Sequence, residues 1–300
     1  MNVPGAAPGF QSLDRVIYGI GAQKAGTTWL YEQLKSHPEV HMGDLKEVHY
    51  WDTIYFPHLP YYKPKAEDEV RRLRRLSLLR SLKHGFSQQR RMLLQAERYR
   101  EALSGGERST SAYQAFLVEG SQGERVVGDI SPGYAMLEAE GFAAMDAAAP
   151  DARFVFIMRD PVSRLWSAMR HNRSRGFMNG DKNADLNEAF ARALEEPDKG
   201  PMMMTDYATT IRNLEAAVPQ ERIGYFFFET LFSQETMDRM TDFLNIGRVQ
   251  ADAEHVVNPG SDSGAEPSPG LARIARERLE DVYTFIYGKF GDQVPHDWLK

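Results

Sequence analysis

A lysine set inside a glycine-rich turn, Gly19-Ile20-Gly21-Ala22-Gln23-Lys24-Ala25-Gly26-Thr27-Thr28-Trp29, has the composition of an anion cradle. The run Arg15 to Ile20 before it reads as a short buried strand, and Thr28 to Leu34 as the helix after it. Such a turn aims free backbone N–H groups and the positive end of a helix at a phosphate. The spacing Gly21-x-x-x-x-Gly26 is that of a P-loop, yet Thr27 stands where a P-loop needs lysine, and Lys24 lies within the turn. That displacement argues against the Mg-ATP chemistry of a kinase. The turn points instead to another phosphorylated nucleotide, or, taken alone, to a structural connection between strand and helix.

A second cluster, Lys46-Glu47-Val48-His49-Tyr50-Trp51-Asp52, packs carboxylates, an imidazole and two aromatic rings into seven residues. It could place a general base beside an acceptor pocket. As an amphipathic strand, it would instead put Glu47 and His49 on one solvated face. A zinc site is less attractive, because there is no cysteine to join the eight histidines. A third group is Arg159-Asp160-Pro161, followed by Arg164, Ser167 and His171. An arginine there offers forked donors to a phosphate, and a serine two helical turns on adds another. The competing reading ties Arg159 to Asp160 or a neighbouring carboxylate.

The elements that must hold these groups alternate between strand and helix. Ala152 to Met158 is a continuous apolar run, with a helix from Val162 to Arg173 announced by Asp160 and Pro161. Further strands are expected at Val126–Ile130 and Arg222–Phe228, and helices near 137–149, 186–194, 207–217 and 235–244. This pattern predicts an α/β protein with a central parallel sheet flanked by helices, its ligands gathered at the carboxyl ends of the strands. Residues 66–104 break the alternation: ten basic residues from Arg71 to Arg100 punctuate leucines at helical spacing, which predicts a helical insertion with either a solvated or an anion-receiving face. The Gly-, Ser- and Pro-rich segment 258–270 reads as a loop, either a lid or a connector.

Composition sets the outer limits. Three hundred residues, 42% hydrophobic and 26% charged, suit one elaborated globular domain. A formal charge of −6 disfavours a nucleic-acid partner, and the absence of cysteine excludes thiolate chemistry. Neither a signal peptide nor a membrane-length apolar run is evident, so a cytoplasmic location is expected.

Taken together and in order, the motifs resemble those of sulfotransferases that use 3′-phosphoadenosine 5′-phosphosulfate, particularly the carbohydrate branch that includes the heparan sulfate sulfotransferases and bacterial members. The resemblance rests on Gln23-Lys24-Ala25-Gly26-Thr27-Thr28, on the 46–52 cluster, on Ser131-Pro132-Gly133-Tyr134, and on Arg159-Asp160-Pro161 with Arg164 and Ser167. It implies a P-loop-like three-layer fold. It also implies that Gln23 to Thr28, with Trp29, hold the 5′-phosphosulfate, that Arg159 and Ser167 hold the 3′-phosphate, and that Lys24 stabilises the leaving phosphate without a metal. For the base, the resemblance to the carbohydrate branch points to Glu47, which corresponds to its glutamate, and His49 is the next candidate because imidazole is the usual base in the cytosolic branch. The acceptor would be a hydroxyl or amine of a carbohydrate or glycolipid, with a small alcohol, phenol or lipid as the alternative. A non-catalytic nucleotide- or polysaccharide-binding protein on the same scaffold is the reading of another class. Trp51, Tyr55, Phe56, Tyr61, Tyr62, Tyr113 and Tyr134 are candidate walls for the acceptor. Two departures from the heparan sulfate members stand out: Asp129 lies near where they carry a lysine facing the polymer, and the segment Ser261 to Glu266 is acidic where theirs is basic.

Overall fold

The computed structural model describes residues 10, 13–56, 62–80, 86–104, 107–175, 185–198, 200–252 and 266–299. In chain order the main elements are β1 (Arg15–Gly21), α1 (Thr27–Lys35), β2 (Val40–Met42), α2 (Tyr50–Tyr55), α3 (Tyr62–Arg80), α4 (Phe86–Ala102), α5 (Glu107–Leu117), β3 (Val126–Ile130), α6 (Ala139–Ala147) and β4 (Ala152–Met158). They continue as α7 (Pro161–Ser174), α8 (Leu186–Leu194), α9 (Gly200–Met203), α10 (Tyr207–Ala217), β5 (Ile223–Phe227), α11 (Gln234–Leu244), α12 (Pro269–Arg278) and α13 (Glu280–Phe290).

The five strands form one all-parallel sheet in the order β2-β3-β1-β4-β5. Its centre is apolar on both faces: Val16, Ile17, Tyr18 and Ile20 of β1 and Phe154 to Met158 of β4 are all 0% exposed. That is why these strands read as unbroken apolar runs rather than alternating ones. Each such side chain contributes about 1.5–3 kcal/mol by leaving water.

The order also fixes the site. From β1 the chain leaves toward β2 on one side, while β4 lies on the other side of β1. The loops after β1 and β4 therefore diverge, and the crevice between them is where a parallel sheet binds ligands.

The helical insertion begins earlier than expected, at Tyr62, and α3 and α4 form a hairpin crossed by Arg74 to Glu97 at 2.6 Å. Four of its arginines, Arg74 among them, are spent locally. Arg71 pairs with Asp68, Arg72 with Glu69 at 2.5 Å, and Arg98 with Glu119, which supports a solvated face over an anion-receiving one. The hairpin contributes Ala66, Val70 and Leu73 to the interior. Of the 258–270 loop, residues 258–265 lie outside the described residues, and Pro269 and Gly270 already open α12. β2 is an element the sequence pattern does not reveal.

Candidate active site

The turn after β1 is built around backbone conformations that only some residues tolerate. Lys24 adopts φ 70°, and Gly26 adopts φ 87° as the cap of α1. Gly26 supplies no capping side chain, and the first turn carries no acidic residue, so the positive end of α1 is left for a ligand. A Cβ on Gly26 would lie 2.5 Å from Leu231 Cδ2 and 3.3 Å from Phe228 Cδ2. Gly26→Ala is therefore expected to destabilise the fold by about 1–3 kcal/mol, through positive φ and overpacking together. Denaturant unfolding checks this; an unchanged midpoint would show that the turn relaxes freely.

Around the turn, Gln23, Lys24 and Thr28 are half-buried, Thr27 is nearly buried, and Ala25 is fully buried, so Ala25 can offer only its backbone. Trp29 departs from its expected place at the donor. It is 2% exposed, its indole N–H donates to the Asp252 carbonyl at 2.8 Å, and its ring meets Phe232 edge-on, so it anchors α1 and has little surface left for a ligand.

The Lys24 ammonium has no carboxylate within ion-pair distance among the described residues. Burial, followed by the charges of Arg159, Lys46 and Arg170, lowers its pKa, with only Glu47 opposing. A lysine on which more cations than anions act suits an anionic ligand.

At the end of β4, Arg159 reaches across the crevice: Nη1 donates to the Lys24 carbonyl at 3.2 Å, and the guanidinium lies 4.5 Å over the Phe228 ring. Asp160 is not its partner. One Asp160 oxygen accepts the Ser163 N–H at 2.8 Å and caps α7, while the other accepts the Tyr283 hydroxyl at 2.5 Å. The structural-tie reading thus fails for this pair, and the remaining Arg159 donors have no carboxylate among the described residues.

Ser167, on α7, is half-buried and has no hydrogen-bond partner among the described residues. Arg164, by contrast, is fully buried. It donates to the Gln23 carbonyl at 3.4 Å, to Thr205 Oγ1 at 2.7 Å and to the Pro201 carbonyl, which makes it a strut beneath the turn rather than a donor to a ligand. Burial pushes its pKa down to about 10. Arg170 escaped the sequence reading. Its Nε is buried without a partner among the described residues and its charge is felt at both Lys24 and Arg159; the available signal was its position one turn after Ser167.

The 46–52 cluster is a turn leading into α2, not a strand, and it assembles an ionic chain. Lys46 Nζ donates to Glu47 Oε1 at 2.7 Å, His49 Nε2 lies 3.3 Å from Glu47 Oε2, and His49 Nδ1 lies 2.7 Å from Asp52 Oδ2. Burial opposes charge on both members of the central pair. For His49 the hydrogen bonds to Asp52 and Glu47 outweigh it and raise the pKa to about 9, and for Glu47 the contacts with His49 and Lys46 lower it to about 2. At neutral pH Glu47 is therefore ionised and His49 is an imidazolium beside it. Asp52 was quoted in the motif without a role; its three-residue offset from His49 was the clue.

The Ser131 motif holds this cluster in place. Ser131 Oγ accepts the N–H of Val48 at 2.9 Å and of His49 at 3.1 Å while donating to Asp129 Oδ1 at 2.7 Å. A side chain at Gly133 would collide with the Asp52 carboxylate. Asp129 also accepts from Tyr113 at 2.9 Å and Tyr134 at 2.6 Å and is 1% exposed. It cannot face a polymer, so its comparison with a surface lysine is corrected: Asp129 is an internal anchor. Trp51, Tyr113 and Tyr134 are likewise 2%, 0% and 0% exposed and belong to the core rather than to an acceptor wall. Tyr55, Phe56 and Tyr62 keep partial exposure, and Tyr61 lies outside the described residues. Among the described residues no helix is long and apolar enough to cross a membrane.

The Sulfotransferase family profile matches residues 17–249. Human carbohydrate sulfotransferase 15 is 29% identical over 193 residues, covering 59% of this chain and 30% of that protein. The rat protein of the same name is 24% identical over 308 residues, covering 89% and 51%. The chain thus spans about half or less of the length of these relatives. A sulfotransferase from Alicyclobacillus acidocaldarius superposes with TM-score 0.65 at 19% identity, over 95% of this chain and 98% of that one. The sulfotransferase domain of the Synechococcus PCC 7002 olefin synthase gives TM-score 0.54 at 16% identity, over 94% and 98%. With more than half its length matched, the turn after β1 included, the chain belongs to the sulfotransferase family.

Proposed function

We propose that the protein transfers a sulfuryl group from 3′-phosphoadenosine 5′-phosphosulfate to a hydroxyl of a carbohydrate acceptor. The observation that carries this reading is an uncompensated Lys24 ammonium within electrostatic reach of an ionised Glu47 carboxylate, at the mouth of an uncapped helix. The residues fit the donor. Lys24, Thr27, Thr28 and the start of α1 would hold its 5′ end, and Arg159 and Ser167, both without a carboxylate partner among the described residues, its 3′-phosphate. When bound, the donor supplies a sulfuryl group activated by a phosphate leaving group.

The protein's own part is positional and electrostatic. Lys24 stabilises negative charge where the S–O bond to phosphate breaks. Glu47 takes the acceptor's hydroxyl proton as that oxygen bonds to sulfur, since each of its oxygens keeps a lone pair beyond those used by Lys46 and His49. His49, already protonated at neutral pH, orients Glu47 rather than accepting the proton. A carbohydrate acceptor is supported by the name of the human and rat relatives.

Calorimetry with 3′-phosphoadenosine 5′-phosphate, combined with transfer of labelled sulfate to panels of glycans, glycolipids, phenols and alcohols, tests the reading. Binding with transfer to glycans is expected. Transfer only to phenols or lipids would overturn the acceptor class; binding without any transfer would overturn catalysis; no binding would overturn the donor.

A further inference from the structure

His49 is 6% exposed and charged at neutral pH, so its cation must be satisfied in every direction. In the plane of the ring, Asp52 takes Nδ1 and Glu47 takes Nε2, at 2.7 and 3.3 Å. One face of the ring is covered by Tyr62, the first residue of α3, stacked at a centroid distance of 3.8 Å and an interplanar angle of 13°. Edge-on hydrogen bonds and a face-on π contact are geometrically compatible, and the negative face of a phenol ring attracts a cation lying over it. The second helix of the hairpin docks one residue away: the Tyr99 hydroxyl donates to the Val48 carbonyl at 3.1 Å. Both helices of the insertion thus rest on the base-bearing segment, while Arg71, Arg72 and Arg98 on its surface are spent in their own pairs.

We propose that Tyr62 is a positioning residue, whose ring holds the His49 imidazolium between Asp52 and Glu47 and makes the α3–α4 hairpin part of the acceptor side of the site. The assignment of Glu47 to an acceptor rests on the function proposed above; the Tyr62–His49 contact does not. The charged groups around His49 are Glu47 and Lys46 on the preceding segment, Asp52 on α2 and Asp129 on β3. None of them changes when Tyr62 is replaced.

The test is an NMR titration of the His49 ring in the full chain, assigned among the eight histidines with His49→Gln. Tyr62→Phe keeps the ring and should leave the midpoint near that of the parent. Tyr62→Leu keeps an apolar cover but removes the π face, so the charged form loses its partner while burial persists. The His49 midpoint should then fall by about one unit, a tenfold loss of proton affinity of the size expected for a desolvated cation–π contact. Equal midpoints for the Phe and Leu variants would overturn the proposal and leave Tyr62 a simple cover. If the Leu variant does not fold, Tyr62→Trp decides: a midpoint at or above the parent's supports the proposal, and a fall to below it overturns it. Because this readout needs neither donor nor acceptor, a shifted midpoint in a chain that transfers no sulfuryl group would sink the proposed function and leave the positioning role standing.

Discussion

Glu47→Gln is expected to lower sulfuryl transfer by about 10²–10⁴-fold, the range that a positioned general base contributes, while the affinity for 3′-phosphoadenosine 5′-phosphate changes little. Glutamine keeps the shape of the side chain and loses the proton acceptor. The donor side is spared because, among the described residues, Glu47 is bonded to Lys46 and His49 and not to Arg159 or the start of α1. The pH profile separates the two candidate bases. Glu47, with its pKa lowered to about 2, is ionised throughout the neutral range, so a rate that depends on it is flat there. His49, raised to about 9, accepts a proton only in its minor neutral form, so a rate that depended on it would climb about tenfold per unit toward pH 9. Single-turnover transfer measured between pH 6 and 9 reads the difference. Near-parental turnover in the glutamine variant, or a log-linear climb in the parent, would remove Glu47 from the role.

What the sequence exposes and what it hides divide along the range of the interactions. The cradle turn, the buried runs of β1 and β4, and the aspartate cap of α7 are set by neighbours within a few residues, and all were legible as local pattern. β2 was not: three residues with His41 in the middle carry no periodicity, and pairing with β3 alone makes them a strand. The base cluster was legible as a collection of chemical groups but not as a chain, because its shape comes from Ser131, 83 residues downstream of Val48. Asp129 was misread for the same reason, since the hydroxyls that bury it include Tyr113, 16 residues before it. Arg164 and Arg159 have the same side chain five residues apart, and only the packing of α7 beneath the turn makes one a strut and leaves the other open. The stacking of Tyr62 on His49 depends on how a whole helical hairpin docks, which no window of sequence contains.

Lys24→Ala tests the other half of the chemistry, and its expected signature differs from that of Glu47→Gln. Lys24 makes no ion pair with the protein among the described residues, so removing it should cost the fold little; alanine meets the same backbone strain at φ 70° that lysine already bears. Its loss falls on whatever anion occupies the cradle. If Lys24 meets the charge of the departing phosphate, kcat should fall by about 10²–10³-fold, as when one preorganised donor to a developing anion is deleted, and donor affinity should fall with it. The pH dependence gives an internal control. Burial and the neighbouring cations Arg159, Lys46 and Arg170 lower the Lys24 pKa, whereas a bound anion favours its charged form. Binding of 3′-phosphoadenosine 5′-phosphate to the parent should therefore weaken as pH rises through the lowered pKa, and this alkaline loss should be absent from the alanine variant. Parallel titrations of the two proteins by calorimetry, alongside their thermal midpoints, give the answer. Identical alkaline limbs would place the charge-sensing group elsewhere.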